Sequence, residues 1–390
     1  MDDFLPYGAQ TLDEDDIAAV VEALRSPYLT TGPRVGAFED ALARAVGSEH
    51  AVAVSSGTAA LHAACHVLDL GPEDEVVVPA VTFLASANAV RYVGARVVFA
   101  DVCPDCGLMR PQDLERAMTP RTRAVMPVDL TGRPTDLEAI ADLARSRGAA
   151  VVEDAAHALG ATLRGRRIGD GTWSDMAIFS FHPVKHVTTG EGGAIVTNDA
   201  ARAERLRRFA SHGMVRDADA LQRTSPGPWY YEQHELGFNY RLTDVQCALG
   251  VSQLSKLGRF VDRRRELAAR YDRLLADVPS VEPVDPGPDG SESAYHLYAV
   301  LVDFDGVGRS RAEVMQGLRE RGIGTQVHYI PVPSQPDYER LGYSVSEYPG
   351  ARRYYERTLS LPLFPRMEDA DVDRVASALA DVLSPSTRVR

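Results

Sequence analysis

Lys185 closes the segment Ser180-Phe-His-Pro-Val-Lys185 and leads into the Gly-rich stretch Thr188-Thr-Gly-Glu-Gly-Gly193. Thirty-one residues earlier, Asp154 stands in Glu153-Asp154-Ala-Ala-His157, directly after the apolar run Ala149-Ala-Val-Val152. A lysine amine that forms a Schiff base, an aspartate that holds a ring nitrogen and a serine placed for a phosphate are what pyridoxal phosphate (PLP) requires. Each alone is a weak signal. Together, and in this order, they point to PLP chemistry. Lys185 is then the covalent anchor. Once released, its amine can move a proton between the substrate carbon and the cofactor carbon.

Further residues fit the same chemistry. Ser55-Ser-Gly-Thr58 joins a strand to a helix start, where free N–H groups and the helix dipole attract an anion. Gly57 permits close backbone approach, while Ser56 and Thr58 add hydroxyl donors. A plain helix cap is the competing reading of this turn. Asp154 follows a buried strand, where an unpaired carboxylate is costly unless a protonated ring nitrogen meets it. The alternative is a capping aspartate. His157 can pack against the ring or bond its phenolic oxygen, against the alternative of a satisfied core histidine. Phe83, in Pro79-Ala-Val-Thr-Phe83, can stack on the ring, although lone aromatics are more often core. His182 and His186 are candidate substrate or acid/base groups.

These residues need a scaffold that gathers them. Ala51–Val54, Glu75–Val78, Arg96–Ala100, Ala124–Val128, Ala149–Val152, Ala177–Ser180 and Gly193–Thr197 read as short β-branched strands separated by helical patterns. Such runs imply strands buried on both faces, hence an α/β fold with a mostly parallel central sheet. Ligands in open α/β sheets bind beyond the carboxyl ends of the strands. Ser55–Thr58, Asp154 and Ser180–Lys185 each follow a strand, so one crevice can hold all three. A long Leu/Ala/Arg-rich helix over 243–277 predicts a link into a smaller α+β domain. There 296–302 and 324–329 read as strands and 311–321 as a helix. The expected domains are a large one over 1–245 and a small one over 246–390.

Composition narrows the class. The chain has 390 residues, 45% hydrophobic and 25% charged, with formal net charge -13. That balance argues against nucleic-acid and anionic-membrane surfaces, which need clustered Lys/Arg. The acidic start Met1-Asp-Asp-Phe does not resemble a signal peptide, and no apolar run approaches the ~20 residues of a membrane span. A cytoplasmic location is the expectation. Of the four cysteines, Cys103-Pro-Asp-Cys106 forms a C-x-x-C. A zinc site needs about four ligands and there is no second pair, so no metal is expected and a polar turn is the simpler reading.

At these residues the chain resembles the DegT/DnrJ/EryC1/StrS sugar aminotransferases, which are PLP enzymes of fold type I (aspartate aminotransferase-like). The resemblance runs nearly end to end. It rests on Leu29-Thr-Thr-Gly-Pro33, Ser55-Ser-Gly-Thr58, Glu153-Asp154, Ser180–Lys185, Gly237-Phe-Asn-Tyr-Arg-Leu-Thr-Asp244, His328-Tyr-Ile-Pro331 and Leu359-Ser-Leu-Pro362. Ser180–His186, Thr188–Gly193 and Gly227-Pro-Trp-Tyr-Tyr231 look most like the C4 aminotransferases of UDP-4-keto-6-deoxy-AltNAc. The resemblance implies L-glutamate as amino donor and a homodimer with shared active sites, in which Asn239 and Arg241 reach the partner's cofactor phosphate. It places His328 and Tyr329 in the sugar pocket. Departures are His157 for a common Gln, Asp129 for a common His, Thr31 for a frequent Gln, and the Cys103/Cys106 turn. Thr31 and Asp129 bear on the substrate pocket.

Four readings compete. One is amination of a nucleotide-linked keto-deoxysugar. A second keeps the fold but takes a keto-cyclitol or free keto-sugar, and nucleotide affinity separates the two. A third is sugar dehydration, whose enzymes carry histidine at the lysine position; Lys185 opposes it. The fourth is a non-catalytic module, which intact Asp154, Ser180 and Lys185 oppose.

Overall fold

The computed structural model describes residues 4–384, so the acidic Met1–Asp3 start lies outside the described residues. Seven strands form the main sheet: β1 His50–Val54, β2 Glu75–Pro79, β3 Arg96–Ala100, β4 Thr122–Val125, β5 Ala150–Asp154, β6 Met176–Ser180 and β7 Gly193–Thr197. Their spatial order is β1-β7-β6-β5-β4-β2-β3. Strands β2 to β6 run parallel to their neighbours, and β7 is antiparallel to both β1 and β6. Because β1 and β6 both oppose β7, they share the direction of β2–β5. The ends of β1, β5 and β6 therefore open on one edge.

The helices are α1 Glu14–Arg25, α2 Pro33–Val46, α3 Gly57–Val67, α4 Leu84–Tyr92, α5 Pro111–Ala117, α6 Leu137–Ser146, α7 Ala200–Phe209, α8 Asp244–Leu254, α9 Leu257–Leu275, α10 Arg311–Glu320, α11 Pro336–Arg340, α12 Pro349–Arg357 and α13 Asp369–Leu383. Alternate strand residues enter different cores. Val76 and Val78 pack with α3, α4 and α7. Val77 and Val151 pack with α6, while Ala51, Ala53 and Phe179 pack with α2. Both faces are covered, which is why the strands read as unbroken apolar runs.

A second sheet of Val281–Pro283 (β8), Tyr298–Val302 (β9) and Thr358–Leu361 (β10) is antiparallel and packs against α9, α10 and α13. The N-terminal segment crosses to it, with Leu5 N–H on the Gly322 carbonyl at 2.8 Å and Gly324 N–H on the Leu5 carbonyl at 2.8 Å.

Two expectations change. The single helix over 243–277 is broken between α8 and α9 at Ser255–Lys256. There Ser255 Oγ turns back to the Ser252 carbonyl at 2.6 Å, and Lys256 reaches the α1 cap to pair with Asp13 and Asp16. The segment 324–329 pairs with β10 only at Gln326–Ser360. Beyond that pair, the His328 ring meets Ser360 Oγ and the Tyr329 phenol turns to His157.

Candidate active site

The anion end is built where β1 passes into α3. Ser56 caps the helix, its Oγ accepting from Ala59 N–H at 3.1 Å. The first N–H groups of a helix have no intrahelical acceptor and so face the space before it. Ser180, at the end of β6, is brought to the same place. A Cβ on Gly57 would lie 3.1 Å from Ser180 Cβ and 3.4 Å from its Oγ. Gly193 faces both Val54 and Ser180 across the ladder, and a Cβ there would lie 2.4 Å from the Ser56 carbonyl. Only glycine permits that approach. Ser56, Gly57, Thr58 and Ser180 thus form one half-exposed corner.

Lys185 returns to this corner through a tight turn. His182 N–H donates to Ser180 Oγ at 3.5 Å, and Lys185 N–H donates to the His182 carbonyl at 2.9 Å. Burial pushes the Lys185 amine down from 10.5 to about 7, and the charge of Asp154 opposes the fall only in part. The chain has just one other lysine, Lys256. Gly8 of the N-terminal segment lies over the turn, its Cβ position 3.6 Å from Val184.

Asp154 ends β5 and is buried. Its carboxylate accepts from Ser86 Oγ at 2.6 Å and from Ala156 N–H at 3.2 Å. Burial raises its pKa, while those bonds and the Lys185 charge favour the anion. Ser86 is itself held by Thr82 Oγ1 at 2.7 Å.

His157 is fixed as one tautomer. Thr131 N–H reaches its Nδ1 at 3.3 Å, so Nδ1 accepts and Nε2 carries the proton. Nε2 then donates to the Tyr329 oxygen at 3.2 Å, which leaves the phenol free to donate its own proton. Burial, with the Lys185 charge adding, holds His157 neutral. The turn that presents Thr131 needs Gly132 at φ 98°, where a Cβ would meet His296 N at 2.7 Å and the His157 carbonyl at 2.9 Å. The Phe83 ring is 54% exposed and stands 5.8 Å from that of Tyr329. His328 is buried, its Nδ1 2.8 Å from Ser360 Oγ.

The other predicted residues differ in their placement. His182 is exposed and His186 is buried, with its Nε2 on the Ala294 carbonyl at 2.9 Å, so His186 is structural. Asp129 does not line the pocket. It is fully buried, accepts from Thr135 N–H at 2.8 Å and faces Glu153. Thr31 is exposed at φ 55° on a loop held by Asp244, which accepts from Gly32 N–H at 2.7 Å. Its contacts do not include the Lys185 cluster. Asn239 is exposed; Arg241 donates to Ser211 Oγ at 3.0 Å while its backbone bridges Val54 beside the anion corner.

Two pocket residues carry no sequence motif. The buried His296 ring lies 4.3 Å from His157, and the Tyr7 ring lies 5.4 Å from His328. Arg264 fixes the backbone there by donating to the carbonyls of His296 at 3.1 Å and Leu363 at 2.9 Å. Among the described residues, no cluster of three or more His, Cys, Asp or Glu is placed to hold a metal ion.

The residues fit PLP. An amine of lowered pKa, an oriented buried carboxylate, a helix start flanked by two serines and an aromatic face surround one space. Asp154 would hold the ring nitrogen, the Ser56–Thr58 and Ser180 corner the phosphate, and Lys185 the aldehyde carbon.

Comparison with known proteins agrees. The DegT/DnrJ/EryC1/StrS aminotransferase family model matches residues 10–380. The spore coat polysaccharide biosynthesis protein SpsC of Bacillus subtilis is 41% identical over 97% of this chain and 97% of its own. The aminotransferase TlmJ of Streptoalloteichus hindustanus superposes with TM-score 0.89 at 36% identity, covering 97% of this chain and 98% of that one. Helicobacter pylori PseC, an aminotransferase of pseudoaminic acid biosynthesis, gives TM-score 0.90 at 31% identity over 97% and 99%. Solved relatives include pyridoxal and pyridoxamine phosphate forms. The chain belongs to the DegT/DnrJ/EryC1/StrS aminotransferase family and is a PLP-dependent sugar aminotransferase.

Proposed function

We propose that the enzyme moves the amino group of L-glutamate to the C4 keto group of a UDP-linked 4-keto-6-deoxyhexose. The observation that carries the chemistry is the near-neutral Lys185 amine beside Asp154 and the His157–Tyr329 pair. The likeness to PseC, with its role in pseudoaminic acid biosynthesis, supports a deoxysugar acceptor. The likeness to SpsC supports a sugar destined for a polysaccharide.

When bound, PLP supplies an aldehyde that exchanges amines and a ring that withdraws electrons from the adjacent carbon. The protein supplies the rest. Lys185 Nζ, about half neutral near pH 7, takes the proton from the donor's α-carbon. In the acceptor half it delivers a proton to what had been the carbonyl carbon. Asp154, oriented by Ser86 and Ala156, stays anionic opposite the ring nitrogen. Tyr329, its oxygen accepting from His157, directs its own proton into the pocket. Phe83 and Tyr329 present apolar faces that exclude water, and His328, Tyr329, His182 and Thr31 are the proposed substrate contacts.

The assembly proposed is a homodimer. Exposed apolar residues, among them Tyr28, Leu29, Tyr92 and Phe238, favour a covered surface. Exposed Asn239 is the residue proposed to cross to the partner's phosphate corner, with Arg241 bracing the loop. The proposed location is the cytoplasm. Among the described residues, no helix is long and apolar enough to cross a membrane.

The substrate test compares kcat/KM for a UDP-4-keto-6-deoxyhexose with that for an unlinked keto-cyclitol, each with glutamate, and locates the new amine by NMR. A preference for the UDP-sugar with the amine at C4 is expected. Equal or better turnover of the cyclitol would replace this reading with the cyclitol one.

A further inference from the structure

The C-x-x-C turn after β3 has a chemistry that sugar amination does not use. Gly107 N–H closes the turn on the Cys103 carbonyl at 2.8 Å, and Cys103 N–H reaches the Leu108 carbonyl at 2.9 Å. An i→i+4 bond closes a single helical turn, in which residues three apart lie about 5–6 Å from each other, within reach of a disulfide. Cys103 and Cys106 lie close enough for each thiol to shift the ionisation of the other. Leu108 N–H points at the Cys106 sulfur at 3.4 Å. Cationic groups stand on both sides: Arg110 near Cys103, and Arg133, which donates to the Cys106 carbonyl at 2.7 Å. Cys103 is half-buried, and Cys106 is buried behind it.

We propose that Cys103 and Cys106 form a peroxide-sensitive dithiol that closes to an intramolecular disulfide. The Cys106 S–H, two backbone N–H groups and Arg110 stabilise the Cys103 thiolate against burial and bring its pKa down to about 6. Cys106 moves the other way, held as the thiol by its bond to Cys103 and by burial. The Cys103 thiolate attacks hydrogen peroxide, the O–O bond breaks, and the departing hydroxide is protonated to water. Cys106 sulfur then attacks the Cys103 sulfenic acid, the S–O bond breaks, and a second water leaves with the Cys106 proton. Two thiols are oxidised by two electrons, and one peroxide is reduced to two waters. Cys65 and Cys247 are buried, with thiols pushed up to about 12, and have no such partner in this turn. The turn is tied to the active site, since Arg133 Nε also donates to Thr131 Oγ1 at 2.8 Å and Thr131 N–H holds His157.

The test treats the full-length enzyme with hydrogen peroxide, blocks remaining thiols with N-ethylmaleimide, and maps tryptic peptides by mass. Cys103 and Cys106 fall in one peptide, 97–116, because trypsin does not cut before Pro111. The expected product is that peptide lighter by two hydrogens and unlabelled, restored to two labels by dithiothreitol. Its formation rate should rise through pH 6 and level off by pH 8, and Cys106→Ser should stop at a dimedone-trappable sulfenic acid on Cys103. The proposal is overturned if both thiols still label, on unfolding, in enzyme held with excess peroxide at pH 8. It is also overturned if Cys103 proceeds to the sulfinic acid while Cys106 remains free.

Discussion

Lys185 should be the fastest-labelled lysine of the apoenzyme. With its pKa near 7, about half the amine is neutral at pH 7, against ~0.03% for an ordinary lysine at 10.5. The other lysine is a built-in control. Burial works against the charge of Lys256, but its ion pairs with Asp13 and Asp16 outweigh this and hold its pKa above 10.5. The neutral fractions therefore differ by roughly 10³. A less basic amine is also a poorer nucleophile; with a sensitivity like that of thiols, β of about 0.4–0.5, the penalty is ~40-fold. A net advantage of at least ~30-fold remains. Trace acetylation with peptide mapping reads both lysines in one sample and separates the N-terminal amine. The Lys185 rate should titrate with a midpoint near 7. A midpoint near 10, or labelling no faster than Lys256, would refute the assignment of Lys185 as a desolvated amine facing Asp154.

Asp154→Asn should lower kcat on the order of 10²–10³, as loss of one preorganised electrostatic partner does. It should also move the Lys185 labelling midpoint below that of wild type, because the Asp154 charge raises it; an unchanged midpoint would separate the two residues. Gly193→Ala drives a Cβ into the Ser56 carbonyl, at a cost of about 1–3 kcal/mol in unfolding midpoint measurements. Weakened PLP affinity, read by fluorescence titration, should accompany it if this corner holds the phosphate. Glu153→Gln tests the buried acid pair. Burial raises both Glu153 and Asp129, the latter to about 7, so the folded chain keeps a proton that the unfolded chain releases above ~4.5. Wild-type stability from this pair is full below that pH and falls as pH rises through 7. The variant removes the Glu153 proton and leaves Asp129 buried, so its stability relative to wild type should climb by up to ~1.4 kcal/mol per pH unit between 5 and 7. Parallel curves in chemical denaturation would contradict a proton held on Glu153 in the folded chain.

The sheet and its ligand edge were legible because buried parallel strands leave continuous apolar runs, and Lys185, Asp154, Ser180 and Ser56–Thr58 all follow such runs. The direction of β1 and β6 was not, since it depends on the single reversed strand β7. His296 and Tyr7 escaped because their approach is tertiary: Arg264 carries one in, and the N-terminal crossing carries the other. The helix break at Ser255–Lys256 has no Gly or Pro at the bend. It follows from Lys256 reaching Asp13 and Asp16, a contact between residues remote in sequence. Asp129 was tied to the substrate pocket through the family resemblance, yet its side chain turns inward to Thr135 and Glu153, which local sequence does not encode.

Amino transfer to a sugar through Lys185 can be followed by absorbance as two half-reactions. The PLP-loaded enzyme is converted to its pyridoxamine form with glutamate, freed of donor, and mixed with a UDP-4-keto-6-deoxyhexose. Conversion is expected in the first step, return of the starting spectrum in the second, and neither in Lys185→Ala. A wild-type spectrum unmoved by glutamate and by other amino donors, or full turnover in Lys185→Ala, would contradict it.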